Sequence, residues 1–209
     1  MKLEIKKGGI CVITDSLIQN RFTHEKLAEL AIKGGASLIQ LREKQKSDAD
    51  LFEIAQKVKV VCNRFKIPFI INDRVDIALL SGADGVHLGQ NDLPIVVARK
   101  ILGENKIIGG SAGSLAEAKQ VERDGADYIG IGHIYHTSTK EKLSEPLGLE
   151  KLKEITSQIS IPIFAIGGIN HKNIKPVFLA GASVVAVISC VVSAENPELA
   201  MKELISSCV

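Results

Sequence analysis

Short apolar runs alternate with longer amphipathic stretches along most of the chain. The runs are rich in Ile and Val, which is typical of buried strands, and they are too short to be helices. They predict eight strands, at Ile10–Thr14, Leu38–Arg42, Pro68–Asn72, Gly85–Leu88, Lys106–Gly110, Tyr128–Ile131, Pro162–Ile166 and Val184–Ile188. The stretches between them predict helices, for example at Glu25–Lys33, Asp48–Arg64, Leu115–Arg123 and Leu149–Gln158.

This alternation predicts an α/β fold with a parallel sheet. Eight strand–helix units within 209 residues favour a single-domain (β/α)8 TIM barrel over an open sheet. A repeated joint supports this prediction, because a Gly-Ala pair follows a helix and precedes a strand at Gly35-Ala36, Gly82-Ala83, Gly125-Ala126 and Gly181-Ala182. Gly at such a joint suits a left-handed helix C-cap. Without a linker or a change in composition, residues 1–209 are expected to form one domain.

Composition narrows the class of protein. The chain is 45% hydrophobic, and its net charge is +2 without a long basic run, so nucleic acid is not an expected partner. No apolar run reaches membrane-spanning length, and the charged start, Met1–Lys7, lacks the apolar core of a signal peptide. We therefore expect a cytoplasmic protein without membrane contacts. Four cysteines lack metal-ligand spacing and are expected to be idle thiols, and the sequence leaves the oligomeric state open.

Polar side chains collect where the predicted strands end. In a barrel of this kind the active site lies at the C-terminal ends of the strands. The residues that follow successive strands there are Gln40, Arg42 and Lys44, then Asn72 and Asp73, then Gln90 and Asp92, then Ser111, and then His133, Thr137, Thr139 and Lys140. The strand starts carry little comparable chemistry. This one-sided distribution predicts a catalytic face.

The chemistry of these side chains points to polyanionic ligands. Arg42, Lys44 and Lys140 supply positive charge, and an arginine binds phosphate oxygens in a bidentate way. Asp73 and Asp92 are hard oxygen ligands suited to a Mg²⁺ ion that takes its other ligands from water and a diphosphate. Each residue also has a plainer interpretation. Asp73 could cap a helix at Val75–Leu80, and the two basic residues after the second strand could form a solvated edge.

A second anion site is predicted at the ends of the seventh and eighth strands. Gly167-Gly168 follows the seventh strand, and Ile188-Ser189 ends the eighth. Barrels of this kind commonly bind a phosphate there through backbone N–H groups. A Gly-Gly pair can also be only a turn. Taken together, the residues predict two anion sites, one of them with a metal.

Several ordered motifs resemble the signatures of the thiamine-phosphate synthase family, and the resemblance extends from about Ile13 to Pro197. A set of motifs at matching spacing is far more specific than any single one. They are Gln40-Leu-Arg-Glu-Lys44, Ile71-Asn-Asp-Arg74, Gly85-Val-His-Leu-Gly-Gln90 with Asp92-Leu-Pro94, Thr137-Ser-Thr-Lys140, Ala165-Ile-Gly-Gly168 and Val187-Ile-Ser189. The resemblance implies an enzyme that joins a hydroxymethylpyrimidine diphosphate to a thiazole phosphate, giving thiamine phosphate and diphosphate. It also implies a dissociative route, in which the pyrimidine diphosphate ionises first.

The resemblance implies roles for individual residues. The pyrimidine diphosphate would be held by Gln40, Leu41, Arg42, Glu43, Lys44, Asn72, Ser111 and Lys140. The catalytic residues among these would be Arg42, Lys44, Lys140 and Ser111. Asp73 and Asp92 would bind Mg²⁺. The thiazole phosphate would be held by Thr137, Ser138, Thr139, Gly168, Ile188 and Ser189. The polar loop Lys140–Gly148 would close over the substrates and keep water away from the cation.

Two departures from the family pattern leave alternatives open. After the fifth strand the chain has Ala112-Gly113 where relatives often carry a bulkier residue or His. His133 stands where many relatives have Pro, and a His there also occurs in the related thiazole tautomerases, so a tautomerase using His133 for proton transfer is one alternative. The others are a catalytically silent barrel that binds phosphorylated ligands and a different phosphate-binding barrel enzyme. The intact Asp73, Asp92 and Lys140 favour the synthase over these.

Overall fold

The computed structural model describes residues 7–137 and 145–208, and within them eight parallel strands close into a barrel. Each strand pairs with the next along the chain, and β8 pairs with β1. The strands are β1 (Gly9–Asp15), β2 (Leu38–Arg42), β3 (Phe69–Asn72), β4 (Gly85–Leu88), β5 (Ile107–Ala112), β6 (Tyr128–Gly132), β7 (Ile163–Ile166) and β8 (Val184–Val187). The predicted (β/α)8 barrel is confirmed.

Helices follow the strands and cover the outside of the barrel. They are α1 (His24–Lys33), α2 (Asp48–Phe65), α3 (Val75–Leu80), α4 (Ile95–Leu102), α5 (Leu115–Arg123), α6 (Gly148–Thr156), α7 (Ile174–Leu179), α8 (Ser189–Val192) and α9 (Pro197–Ser206). The predicted β8 ended one residue too late, because Ile188 leaves the extended conformation and becomes the N-cap of α8. None of the helices within residues 7–137 and 145–208 combines the length and apolarity that crossing a membrane requires.

Strand alternation divides the core into two layers. One layer fills the barrel interior and contains Cys11, Ile13, Leu38, Ile70, Ile107, Tyr128, Phe164, Val184 and Ala186. The other layer lies between the strands and the helices and includes Val12, Ile39 and Leu41. The face of β2 that points inward is therefore the one carrying Leu38, Gln40 and Arg42.

The four Gly-Ala joints have the predicted geometry. Each Gly has a positive φ, between +69° and +105°. At each joint the Ala N–H donates to the carbonyl five residues earlier, as in the bond from Ala36 to Ala31. This is the Schellman pattern, in which a left-handed Gly ends the helix and satisfies its last carbonyls. The repeated joint turns the chain from a helix into the next strand at the N-terminal end of the barrel.

The four cysteines are free thiols. Burial raises the pKa of Cys62 to about 12 and that of Cys190 to about 11, which keeps both in the unreactive thiol form near neutral pH. Their environment agrees with the expectation of idle thiols.

Candidate active site at the C-terminal mouth of the barrel

Arg42 is held at the mouth of the barrel by a buried carboxylate. Its guanidinium forms an ion pair with Asp15, the last residue of β1, whose side chain is fully buried. The other carboxylate oxygen of Asp15 accepts a hydrogen bond from the Leu17 N–H at 2.9 Å. Because Asp15 is fixed in this way, Arg42 is oriented before any ligand arrives. The interpretation of Arg42 as part of a solvated edge is therefore wrong.

Glu43 points away from the mouth. Its buried carboxylate accepts hydrogen bonds from Ser16 Oγ at 2.5 Å, from the Gln45 N–H at 2.8 Å and from His24 Nε2 at 3.2 Å. His24 Nδ1 is in turn 2.8 Å from Thr14 Oγ1. Burial alone would raise the pKa of Glu43, but the bonds from Ser16, Gln45 and His24 hold that pKa below its ordinary value of 4.5. This cluster ties β1, α1 and the end of β2 together behind Arg42.

We expect Glu43→Gln to lower stability at neutral pH, by about 1–2 kcal/mol, because its hydrogen bonds involve a charged acceptor. A carboxyl with a depressed folded pKa stabilises the fold above the unfolded value of about 4.5, and this stability is lost as pH falls through the folded pKa. Denaturant unfolding should therefore show the difference between wild type and variant narrowing below pH 4.5. The exposed Glu104→Gln serves as the control and should leave stability nearly unchanged at every pH. A difference between wild type and Glu43→Gln that does not change with pH would contradict this account.

Two carboxylates from neighbouring strands meet on the same side of the mouth. Asp73 follows β3 and Asp92 follows β4, and their carboxyl groups are close enough for Asp92 to affect the ionisation of Asp73. Lys44 forms an ion pair with Asp73. Burial raises the pKa of Asp73, with the Lys44 ammonium opposing and the neighbouring Asp92 reinforcing the change. Two neighbouring carboxylates repel each other, and a divalent cation bound between them would relieve this repulsion.

The backbone around this pair is shaped to hold it. Asp73 has a φ of +66°, a conformation that costs free energy for a residue other than Gly. Its N–H donates to the His87 carbonyl at 2.8 Å. Asp92 accepts a hydrogen bond from the Gly89 N–H at 2.6 Å. The N-cap of α3 is Arg74, without a side-chain bond, so the interpretation of Asp73 as the cap of this helix is wrong.

Ser111 is connected to the barrel interior by a chain of polar groups. Its hydroxyl lies 2.9 Å from His87 Nε2, and His87 Nδ1 lies 3.0 Å from the Tyr128 hydroxyl. Gln40 is a buried polar residue of the same barrel interior. Gln90 fixes the backbone on the other side of Ser111 by donating to its carbonyl at 2.5 Å. The predicted substrate-binding residue Ser111 is thus joined to two residues that were not predicted, His87 and Tyr128.

The turn after β7 requires glycine. Gly167 and Gly168 have φ values of +104° and +67°, and a Cβ on Gly168 would lie 2.4 Å from the His136 carbonyl oxygen. The Gly168 carbonyl accepts a hydrogen bond from the Asn173 side chain at 3.0 Å. In α8 the first intrahelical bonds come from Val191 and Val192. The N–H groups of Ser189 and Cys190 therefore precede the hydrogen-bonded part of the helix.

His133 is buried after the end of β6. Its Nδ1 lies 3.1 Å from the Tyr135 carbonyl oxygen, and because a carbonyl only accepts, the proton of a neutral His133 is on Nδ1. Leu147 and Gly148 donate to the carbonyls of His133 and Ile134, so the chain returns to this end of β6. Ser138, Thr139 and Lys140, and with them most of the predicted closing loop, lie outside the described residues.

The structure brings most of the remaining predicted residues to one end of the barrel. Those that follow the strands there are Gln40, Arg42, Lys44, Asn72, Asp73, Asp92, Ser111, Thr137, Gly168, Ile188 and Ser189. It does not bring the side chains of Leu41 and Glu43 there. Strand alternation places Leu41 in the outer core with 1% of its surface exposed, and Glu43 is enclosed by its own hydrogen bonds. The prediction that these two side chains bind substrate is therefore corrected, and only the backbone groups of Leu41 and Glu43 are available to a ligand.

Similar proteins identify a family for this fold and site. The model of a family described as thiamine monophosphate synthase matches residues 10–191. A thiamine-phosphate synthase from Clostridium novyi is 49% identical over 193 residues, which cover 92% of this chain and 95% of the relative. A solved structure titled thiamine phosphate pyrophosphorylase from Pyrococcus furiosus has a TM-score of 0.88 and 38% identity, covering 96% of this chain and 95% of that one. A geranylgeranylglyceryl phosphate synthase from Thermoplasma acidophilum, at 14% identity and a TM-score of 0.69, shares the fold alone.

Proposed function

Because this chain belongs to the thiamine monophosphate synthase family, we propose that its barrel mouth joins a hydroxymethylpyrimidine diphosphate to a thiazole phosphate with the help of Mg²⁺. The chain is a transferase that forms thiamine phosphate. The assignment of substrates to the site depends on one observation. Two cationic and two acidic side chains lie on one side of the mouth, namely Arg42, Lys44, Asp73 and Asp92. That side offers both cations and metal ligands to a diphosphate.

The reaction requires electrostatic stabilisation of the leaving group and does not require a general base. The bond between the pyrimidine methylene carbon and the diphosphate oxygen breaks, and its electron pair leaves with the diphosphate. The lone pair of the thiazole nitrogen then forms the new C–N bond, so no proton has to be removed. Arg42 and Lys44 stabilise the charge that grows on the diphosphate, and Arg42 can do so without reorganisation because Asp15 already holds it. Lys140 is proposed to join them.

The residues present fit a Mg²⁺ ion. Asp73 and Asp92 are both hard oxygen ligands, and the neighbouring Asp92 helps to raise the pKa of Asp73, as expected where two carboxylates would be stabilised by a bound cation. Within the described part of the chain, no three His, Cys, Asp or Glu side chains gather to hold a metal, so the remaining ligands would be water and diphosphate oxygens. When bound, the ion neutralises charge on the leaving group. The protein's own task is to hold the two carboxylates in register through Gly89 and Lys44.

The thiazole phosphate is proposed to lie across the mouth, between β7 and β8. Gly168 supports this because it offers its backbone to a ligand without a side chain in between, and Ser189 supports it because it offers both its N–H and its hydroxyl at the start of α8. Thr137, Ile188 and the undescribed Ser138 and Thr139 would complete the subsite. This arrangement keeps the two anions apart and lets the thiazole nitrogen face the pyrimidine methylene carbon.

Ser189→Ala tests the division into two anion subsites. We expect the KM for thiazole phosphate to rise about 5- to 10-fold, because one hydrogen bond to a charged group is lost. The KM for the pyrimidine diphosphate should stay within about twofold, since Arg42 and Lys44 are untouched. Ser193→Ala, at the other end of α8, is the matched control and should change neither value. Equal increases in both KM values would contradict the division.

A second candidate activity rests on His133. A neutral His133 with its proton on Nδ1 leaves Nε2 as an acceptor, as a residue that transfers a proton in a thiazole tautomerase would need. The coupling reaction does not require a residue that transfers a proton. We therefore propose that His133 orients or packs beside the thiazole, and that tautomerisation is at most a side activity.

His133→Gln separates the two activities. Gln keeps hydrogen-bonding groups but does not transfer a proton near neutral pH, so coupling should stay within about tenfold of wild type when the correct thiazole tautomer is supplied. Any interconversion of thiazole carboxylate tautomers, followed by NMR, should disappear. A loss of coupling on the order of 10³ would mean that His133 acts in the coupling step.

A further inference from the structure

Both carbonyl groups of the Gly-Gly turn after β7 are held by donors of the protein. The Gly167 carbonyl accepts a hydrogen bond from the Tyr135 N–H at 3.0 Å. The Gly168 carbonyl accepts one from the side-chain amide of Asn173, also at 3.0 Å. The first donor belongs to the backbone that follows β6, and the second is a side chain at the start of α7.

The same two bonds orient the N–H groups on the opposite side of these peptides. A trans peptide is planar, so the carbonyl of one residue and the N–H of the next point in opposite directions. The bond to the Gly167 carbonyl therefore also orients the Gly168 N–H, and the bond to the Gly168 carbonyl orients the Ile169 N–H. Within residues 7–137 and 145–208, neither of these N–H groups donates to a protein acceptor. Two successive backbone donors are thus available to an anion.

The Asn173 side chain does not make the hydrogen bond that is usual for its position. Asn173 is the N-cap of α7, where an Asn side chain ordinarily accepts from an N–H of the first turn, as Asn196 does from Leu199 at the start of α9. Asn173 makes no such bond. Its Oδ1 accepts from the Asn170 N–H at 2.7 Å, while its Nδ2 donates to the Gly168 carbonyl. Because an N–H only donates and a carbonyl only accepts, these two partners determine the orientation of the amide.

The neighbouring Asn170 is a poor substitute for Asn173. Its Nδ2 lies 3.5 Å from the Gly168 carbonyl oxygen, which is at the limit of a hydrogen bond, and its Oδ1 accepts from the Lys172 N–H at 2.9 Å. Gly168 has no side chain to restrict its backbone rotation. The peptide between Gly168 and Ile169 therefore depends on the Asn173 amide for its orientation.

We propose that Asn173 is a positioning residue for the phosphate of the thiazole substrate. It holds the Gly168 carbonyl away from the anion, so that the N–H groups of Gly168 and Ile169 face the phosphate, and it does not touch the phosphate itself. If this peptide turned over, the Gly168 carbonyl oxygen would face a phosphate oxygen, and attraction would be replaced by repulsion. This inference rests on the proposed function, which places the thiazole phosphate between β7 and β8.

Two substitutions test the role of the Asn173 amide. Asn173→Ala removes both of its hydrogen bonds, whereas Asn173→Asp keeps an oxygen for the Asn170 N–H and removes only the donor to Gly168. We expect both variants to raise the KM for thiazole phosphate about tenfold and to keep the KM for pyrimidine diphosphate within about twofold of wild type. Asn196→Ala and Asn196→Asp change the same residue type at the same helix position and should alter neither KM.

The phosphate-free thiazole alcohol separates loss of phosphate binding from a general distortion of the site. It is measured as an inhibitor that competes with thiazole phosphate at saturating pyrimidine diphosphate. Because the alcohol has no phosphate to be held, its inhibition constant should stay within about twofold of wild type in Asn173→Ala. The alcohol is also uncharged, so its inhibition constant in Asn173→Asp should be unchanged as well, although this variant adds a negative charge.

Four outcomes would overturn the role of Asn173. They are an unchanged KM for thiazole phosphate in Asn173→Ala, recovery of that KM in Asn173→Asp, an equal loss of affinity for the alcohol, and an equal rise in the KM for pyrimidine diphosphate. A different outcome would concern the proposed function. If wild type bound thiazole phosphate and the alcohol equally well, the phosphate subsite itself would be refuted, and the role of Asn173 with it.

Discussion

Asp92→Ala is expected to lower kcat by a factor on the order of 10² to 10³, the scale of losing one main source of charge stabilisation in a transition state. Asp92 is one of two carboxylates proposed to hold Mg²⁺, and the other, Asp73, is half-buried beside it with a raised pKa. A single remaining carboxylate would bind the ion and its diphosphate weakly. The measurement is the steady-state rate of diphosphate release as a function of Mg²⁺ concentration.

The Ala variant also loses the hydrogen bond from the Gly89 N–H, so a second variant is needed. Asp92→Asn keeps an oxygen for that N–H and removes only the charge, and it should be impaired to a similar extent. Asn91→Ala, at the exposed neighbouring position, should retain full activity. EDTA should impair wild type as strongly as the substitution does, and Mg²⁺ should restore it. If Asp92→Asn kept the kcat and the Mg²⁺ dependence of wild type, the assignment of Asp92 as a metal ligand would be wrong.

Arg42→Lys is expected to lower kcat/KM for the pyrimidine diphosphate about 10²-fold, although the charge is kept. Arg binds phosphate oxygens through a rigid two-pronged group, and Asp15 holds that group in position. Lys is a flexible point charge that could pair with Asp15 but could not contact two oxygens in the same plane. The variant should remain folded, because the buried carboxylate of Asp15 keeps a cationic partner.

Separate titration of each substrate checks the prediction for Arg42. The effect should fall on the pyrimidine diphosphate and leave the KM for thiazole phosphate unchanged. Arg64→Lys, on the outer helix α2, makes the same chemical change away from the mouth and should have no effect. If Arg42→Lys retained wild-type kcat/KM, bidentate binding of the diphosphate would be refuted.

Much of the fold could be predicted because it depends on local patterns. Apolar runs of strand length gave the eight strands to within two residues at each end, and the Gly-Ala pairs marked where helices end. Boundaries failed where a single residue departs from the extended conformation, as Ile188 does. Nothing in the apolar pattern separates the last strand residue from the first residue of the next turn.

The site was predicted less completely, because a polar residue inside an apolar run looks like part of the strand. His87 was missed for this reason. Asp15 directly follows the first predicted strand, and strand alternation places it on the same face as Cys11 and Ile13, but its partner Arg42 lies on another strand, far away in sequence. Tyr128 was missed because its partner His87 lies on another strand, far away in sequence. Leu41 and Glu43 show the opposite error, because their side chains were predicted to belong to the site and do not. A motif names consecutive residues, but only alternate side chains of a strand face the same way.

The most direct test of the account is a coupling assay with the purified chain, the 4-amino-5-hydroxymethyl-2-methylpyrimidine diphosphate, the thiazole phosphate and Mg²⁺. Thiamine phosphate and diphosphate are quantified together over time. The account predicts that both products appear in equal amounts, only when both substrates are present, and that EDTA stops their formation. No thiamine phosphate from the folded chain, together with interconversion of thiazole carboxylate tautomers, would contradict it.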